Sequence, residues 1–360
     1  MLGLVQFLTL TCGIILSFFP DEYDRAASRW ARSTNQINLN DISQWPTDLS
    51  KDIFPVACHS HNDYWRRVPL YSALQAGCTS VEADVWAFDS TLYVGHTTAA
   101  LTKRRTLKSL YIDPLVRILE QQNPVTPFQR FLSTPRNGVF DTDPEQTLVL
   151  LIDFKTDGES TWSAVVEGLE PLRSRGYLTY FDGDQVIPGP VTVVGTGDTP
   201  FDLVISNSSY RDIFFDAPLN RLVDNQVEDG LLPILKSIKR SVEFGEGLDL
   251  PLPDIPDLES RYNITNSYYA SVSLKDALGF SGGLHFSARQ MEVLRGQVKV
   301  AHQLGLKVRY WGLPSWPRSL RNHVWRVLVQ EGVDVLNVDD LIGATRGHWR
   351  MGILDWWRFW

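Results

Sequence analysis

The chain has 360 residues, 43% of them hydrophobic, and a formal net charge of -8. That length can bury a large core and fits either two ordinary domains or one α/β barrel. The acidic balance disfavours a general nucleic-acid binder, because phosphate-backbone affinity comes chiefly from clustered Lys and Arg. An anionic substrate must instead meet local positive charge, from a metal or from a few placed basic residues.

The segment LGLVQFLTLTCGIILSFF, residues 2–19, is apolar and uncharged. It is about as long as a membrane span, which needs ~20 residues, and it equally suits the apolar region of a signal peptide. Residues 1–20 are therefore read as a signal or membrane-anchor segment and 21–52 as a polar linker without a clear period. Residues 53–345 are read as the folded body, and 346–360 as a tail carrying Trp349, Trp356, Trp357 and Trp360. The expected location is membrane-anchored or secreted through the secretory pathway, with a mitochondrial one as the alternative. Sequons at Asn207 (NSS) and Asn263 (NIT) favour the secretory route and a glycoprotein. Cys58 and Cys78 lie in apolar stretches beside predicted strands and are expected as buried free thiols. A bridge between them is the alternative in a secreted protein.

In chain order, β-rich runs fall at 53–58, 79–86, 148–154, 191–196, 212–217, 268–274, 306–313 and 333–340. Helical patterns lie between several of them. One covers 287–305, with Ser287 as N-cap and Gly305 as C-cap, and another covers 318–332. Near-continuous apolar strands alternating with helices predict a parallel sheet covered by helices. Eight of them over this length predict an α/β protein with a closed (β/α)8 TIM barrel, and a doubly wound sheet is the runner-up. The acidic, proline-rich run 245–260 reads as a surface insertion.

The stretch VEADVW places Glu82 and Asp84 two apart in an apolar strand. Residues two apart share a face, and at the carboxyl end of a barrel strand that face opens on the mouth. Two carboxylates this close repel unless a cation sits between them, and a hard divalent metal prefers such oxygen ligands. Asp153, in LLIDFKTDG, is placed to complete the set, and Lys155 faces the same side, either as an ordinary ion-pair partner or as a contact to a substrate phosphate. His59, His61 and His96 each stand beside a predicted strand end. The hairpin-like return FDSTLYVGH brings His96 back over the carboxylates. Two histidines across a metal-bound anion suit acid-base cleavage of a phosphodiester. Periodicity leaves open whether His59 or His61 is the catalytic one, and Asn62 reads as a metal or phosphate contact. Arg104 and Arg105 read as a solvated basic loop, with anion steering as the alternative.

HSHNDYWRRVPLYSALQAGCTSVEADVW, followed by LYVGHT and RTLKSLYIDPL, resembles the phospholipase C-like phosphodiesterase superfamily and, within it, the altered inheritance of mitochondria protein 6 family. The resemblance runs from about 53 to 345. It implies a (β/α)8 barrel, a first histidine acting as general base or nucleophile, a Glu-x-Asp pair binding Mg2+ or Ca2+, and a later histidine as general acid. HND at 61–63 resembles the phospholipase C pattern and favours His61 and Asn62, whereas the glycerophosphodiesterase pattern favours His59. The arginine and glycine usual after that histidine are absent. IDFKT resembles the sphingomyelinase D-like third strand, which implies a metal ligand in Asp153 and a phosphate contact in Lys155. RYWGL supplies Trp311 where related enzymes carry an aromatic at the mouth; a core role is its alternative. The resulting expectation is a metal-dependent phosphoric diester hydrolase acting on a glycerophosphodiester or phospholipid-type substrate, with a membrane as partner and no nucleic acid. A catalytically silent lipid-binding or scaffold protein on the same barrel is the rival.

Overall fold

A computed structural model of the chain describes residues 2–18, 47, 49–127, 135–226, 261–279 and 285–346. Eight parallel strands form the central element: β1 (Val56–Ser60), β2 (Cys78–Phe88), β3 (Leu148–Phe154), β4 (Val191–Gly197), β5 (Ile213–Pro218), β6 (Ser267–Ser273), β7 (Lys307–Trp311) and β8 (Val335–Val338). Each pairs in parallel with the next, and β8 pairs back onto β1, so the sheet closes into a (β/α)8 barrel. Every expected strand is present, the third with the expected bounds.

Strand β2 outruns the barrel and pairs antiparallel with Thr91–Val94, in register from Val85 with Val94 to Phe88 with Thr91. The two turn residues, Asp89 and Ser90, take positive φ of 46° and 62°, the conformation a two-residue hairpin of right twist requires. Helix Ala288–Gln303 starts at Ser287 with a reciprocal capping box to Gln290. Its C-cap is Leu304, with Gly305 one residue beyond at φ 71°.

Side chains alternate along each strand, which separates two apolar cores. Val81, Ala83, Val85, Leu150 and Ile152 face the helix layer within the large core, whereas Val149, Leu151, Val194, Tyr269 and Val335 form a small cluster of their own inside the lumen. That inner cluster plugs the lumen; the polar Ser80 and Glu82 pair in register with its Val149 and Leu151, and Asp84 and Asp153 follow toward the C-terminal mouth.

Cys58 and Cys78 are not free thiols: they form a disulfide with Cα atoms 4.8 Å apart. They point away from the lumen on neighbouring strands that are paired in parallel, so strand adjacency brings together two cysteines that spacing alone did not. The apolar segment forms helix Leu2–Phe18, and among the described residues no helix is long and apolar enough to cross a membrane. The linker read at 21–52 lies mostly outside the described residues, as do the insertion at 245–260 and nearly all of the tail.

The bridge joins the strand that carries His59 to the strand that carries Glu82, across a sequence separation of 20. By the loop-closure argument it stabilises the fold by about 3 kcal/mol. Cys58→Ser with Cys78→Ser should lower the thermal midpoint by several degrees without loss of the far-UV circular dichroism of the barrel, and an unchanged midpoint would remove the bridge from the stability of this face.

Candidate active site

The parallel register sets Asp84 of β2 directly beside Asp153 of β3. One oxygen each from Glu82, Asp84 and Asp153 lies within 4.8 Å of the others. Lys155 supplies one positive charge, its Nζ lying 2.5 Å from Asp153 Oδ2 and 3.2 Å from Asp84 Oδ2. Burial and the neighbouring charge of Glu82 raise the Asp84 pKa. At Asp153, burial with the repulsion of Asp84 and Glu82 outweighs Lys155 and pushes the carboxyl up to about 6.

Glu82 goes the other way. Burial works to raise its pKa, but the hydrogen bond and electrostatic pull of His59, then of Arg309 and His61, hold it well below the usual carboxylate range. Burial, followed by Arg309, brings His59 down to about 4, so its ring is neutral near pH 7. A carboxylate only accepts hydrogen bonds, so the single ring proton is assigned to Nε2, 3.4 Å from Glu82 Oε2. Nδ1 then accepts from the Ser80 hydroxyl at 2.6 Å. His59 is fully buried with both nitrogens occupied, and so supports Glu82 from below.

The loop after β1 finishes the site. Asn62 adopts a left-handed backbone, φ 47°, which turns its N–H onto Glu82 Oε2 at 2.9 Å. Its amide oxygen lies 2.5 Å from the Tyr64 hydroxyl, which is also 2.7 Å from Asp84 Oδ2 and 3.3 Å from His96 Nδ1. Asp63 fixes this loop: its carboxylate accepts from Ser60 Oγ at 2.8 Å, the Leu70 N–H at 2.6 Å and the Tyr111 hydroxyl at 3.1 Å. The hairpin does bring His96 back over the carboxylates, with Nδ1 3.6 Å from Asp84 Oδ2 and the side chain 49% exposed. Across the mouth, His61 Nδ1 is 2.8 Å from Asp339 Oδ1, just past β8. Burial alone would lower the His61 pKa; the hydrogen bond to Asp339, with the charges of Glu82 and Asp339, raises it.

The structure thus gathers His59, Asn62, Glu82, Asp84, His96, Asp153 and Lys155 into one network and sets His61 beside Glu82 electrostatically. Trp311 stands exposed at the end of β7, outside that network. Arg105 donates to the Tyr64 carbonyl, and Arg104 is exposed. Sequence reasoning missed Asp339, Tyr64 and Arg309. The buried Arg309 guanidinium reaches Ser271, Asn337 and Asp216 at 3.0, 3.0 and 3.1 Å.

The residues fit a divalent cation. Asp84 Oδ1 is buried without a hydrogen-bond partner, a costly position for an ionised oxygen unless a positive group meets it. Three carboxylates against one lysine leave negative charge uncompensated, and the all-oxygen donor set suits Mg2+ or Ca2+. Asp153 Oδ1 also depends on a glycine: Gly197 has φ 65°, and a Cβ there would lie 2.1 Å from that oxygen.

Residues 47–216 match the model of the AIM6-like phosphodiesterase domain. That span holds every residue above except Ser271, Arg309, Trp311, Asn337 and Asp339. An altered inheritance of mitochondria protein 6 homolog of Arthroderma benhamiae is 42% identical over 318 residues, 85% of this chain and 88% of the relative. The altered inheritance of mitochondria protein 6 of Eremothecium gossypii is 37% identical over 311 residues, 83% of this chain and 71% of its own. That of Saccharomyces cerevisiae is 34% identical over 312 residues, 82% and 72%. No solved structure matches the chain.

Two expected outcomes follow from the charge balance. Mg2+ or Ca2+ should raise the thermal midpoint, and Glu82→Gln or Asp84→Asn should abolish the rise. Without divalent cations, Asp153 binds more protons folded than unfolded, because its folded pKa of about 6 exceeds the usual 3.8. Its contribution is therefore present at low pH and lost as pH rises through about 6. Stability of the cation-free protein should fall through this component as pH rises from about 4 to about 6, and Asp153→Asn should remove it; an unchanged profile in that variant would contradict the assignment.

Proposed function

The chain belongs to the altered inheritance of mitochondria protein 6 family, and from that premise we propose that it is a metal-dependent phosphodiester hydrolase acting on a glycerophosphodiester or phospholipid-type substrate. The AIM6-like phosphodiesterase domain gives the coarse class. One observation carries the finer reading. Two mouth histidines face the carboxylate cluster, and each has Nδ1 beside a carboxylate, His61 beside Asp339 and His96 beside Asp84.

With Nδ1 engaged in this way, Nε2 of each ring is left to exchange a proton with substrate. We assign His61 as the general base, taking the proton of the nucleophile while Asp339 stabilises the imidazolium that forms. His96 is the general acid and protonates the leaving alcohol. His59, enclosed and neutral, keeps Glu82 ionised and oriented. Glu82, Asp84, Asp153 and Asn62 would hold the cation, which when bound supplies charge to stabilise the phosphate as negative charge develops. Lys155 adds a fixed positive charge on the same face, and Trp311 borders the substrate at the rim. A substrate with its own adjacent hydroxyl would give a cyclic phosphate first, and water would give an open monoester; phosphorus NMR of the product distinguishes them.

The Cys58–Cys78 bridge supports an oxidising compartment, so we place the chain on the secretory route or at a membrane. The relatives' names refer to mitochondrial inheritance, which supports the mitochondrial alternative.

The test is cleavage of a mixed panel of glycerophosphodiesters and phospholipids with Mg2+, Ca2+ or chelator. Activity should require the cation and vanish in Glu82→Ala. His61→Ala and His96→Ala should each lose about 10²- to 10⁴-fold in kcat while keeping the cation-induced rise in thermal midpoint. An active His96→Ala protein would remove the acid assignment, and a folded, cation-binding protein that cleaves nothing in the panel would favour the lipid-binding rival.

A further inference from the structure

The distribution of exposed tryptophan and unpaired cations around the mouth is uneven. Six tryptophans lie among the described residues, and three are exposed: Trp65 at 62%, Trp311 at 43% and Trp316 at 59%. All three stand at the C-terminal end of the barrel, Trp65 after β1, Trp311 as the last residue of β7 and Trp316 on the loop that follows it. Val68, also after β1, is 50% exposed. The third loop of this arc, 96–105, follows the hairpin of β2. In barrel order β7, β8, β1 and β2 are consecutive, so the loops share one side of the mouth.

Charge follows the same arc. Residues 61–70, 96–105 and 311–318 carry six Lys or Arg and a single acidic residue, Asp63, which is fully buried. Arg66 and Arg105 are spent on backbone carbonyls. Arg67, Lys103 and Arg104 are exposed, and no ion pair joins them to a carboxylate among the described residues. Asp339 and Asp340, on the intervening loop, are engaged by His61 and Arg321. Just after β3 and β4 the exposed charges are instead acidic, at Asp157 and Glu159 where helix Gly158–Gly168 begins and at Asp198. In a chain of net charge -8, this local reversal is the feature to be explained.

We infer that the arc of the mouth above β7, β1 and β2 docks on an anionic lipid bilayer, with Trp65 and Trp316 at the headgroup level and Arg67, Lys103 and Arg104 meeting the lipid charge. Tryptophan favours the membrane interface, and juxtaposed basic side chains add attraction to anionic headgroups that salt screens. An acidic protein partner would suit the cations but not three exposed indoles beside an enzyme mouth. The inference deepens the phosphodiesterase reading, on which it rests for the identity of the substrate as a lipid within a bilayer; the docking itself can be read without turnover.

The experiment is hydrogen–deuterium exchange of the full chain with phosphatidylcholine vesicles, and with vesicles containing 30% phosphatidylserine as well. The expected result is protection of the loops around 62–68, 97–104 and 311–318 on the anionic vesicles only. Arg67→Glu/Lys103→Glu/Arg104→Glu should weaken vesicle binding on the order of 100-fold, and Trp316→Ala should weaken it further. Glu82→Ala, silent in cleavage, should dock as the parent does, so docking and catalysis fail separately. Protection confined to residues 2–18, equal protection on zwitterionic vesicles, or unchanged binding by the triple variant would overturn the inference.

Discussion

Three carboxylates with oxygens within 4.8 Å of one another set the terms for everything around them. At an effective dielectric of about 20, two like charges 4 Å apart repel by about 4 kcal/mol, and the lumen keeps bulk water from relieving it. The surroundings treat the three groups differently. Glu82 is held ionised by His59, the Asn62 N–H and the field of Arg309. Asp153 leans on Lys155. Asp84 shares that lysine and the Tyr64 hydroxyl but keeps one oxygen unmatched. This gradient makes the cluster receptive to a cation at one point.

Depth in the barrel sorts the remaining functions. The apolar plug of Val149, Leu151, Val194, Tyr269 and Val335 closes the lumen. Polar groups from several strands then meet: Arg309 joins Asp216, Ser271 and Asn337, while His59 meets Ser80 and Glu82. A guanidinium so enclosed is costly to bury, and here it serves as fixed counter-charge for the carboxylate layer. The partly exposed histidines His61 and His96 come last, at the mouth. Two histidines two residues apart, one on β1 and one just past its end, thereby acquire different chemistry. His59 lies enclosed with both nitrogens occupied, whereas His61, two residues on, reaches the open end.

Much of this was legible in the chain because it is local. Alternation along VEADVW put Glu82 and Asp84 on one face, apolar runs marked all eight strands, and the short return after Phe88 brought His96 home. What escaped reading depends on strand adjacency across long separations. Asp339 meets His61 across 278 residues of chain, and Arg309 meets Asp216 across 93; neither pairing leaves a periodic trace. The disulfide could be offered from the chain only as the alternative to free thiols, since two cysteines 20 residues apart become neighbours only once β1 and β2 pair. Tyr64 was legible as an aromatic but not as a hub, because its role follows from the left-handed turn at Asn62.

That turn joins the layers of the site. Asn62 and Leu70 both hold positive φ, 47° and 62°, a conformation that side-chain-bearing residues adopt at a cost. Buried Asp63 offsets it by accepting the Leu70 N–H and the hydroxyls of Ser60 and Tyr111. The loop so fixed presents His61 at the mouth, the Asn62 N–H to Glu82, and the Tyr64 hydroxyl to Asp84 and His96. It also turns Trp65 outward, with its ring 5.0 Å from that of His96. A residue on the proposed docking surface therefore touches the proposed acid, and anything that fixes the Trp65 ring also restricts the imidazole beside it. The carboxylate cluster, the two mouth histidines and the outer face of the mouth are thus positioned by one short segment, and the strain in its backbone is tolerated because a single buried aspartate holds both ends.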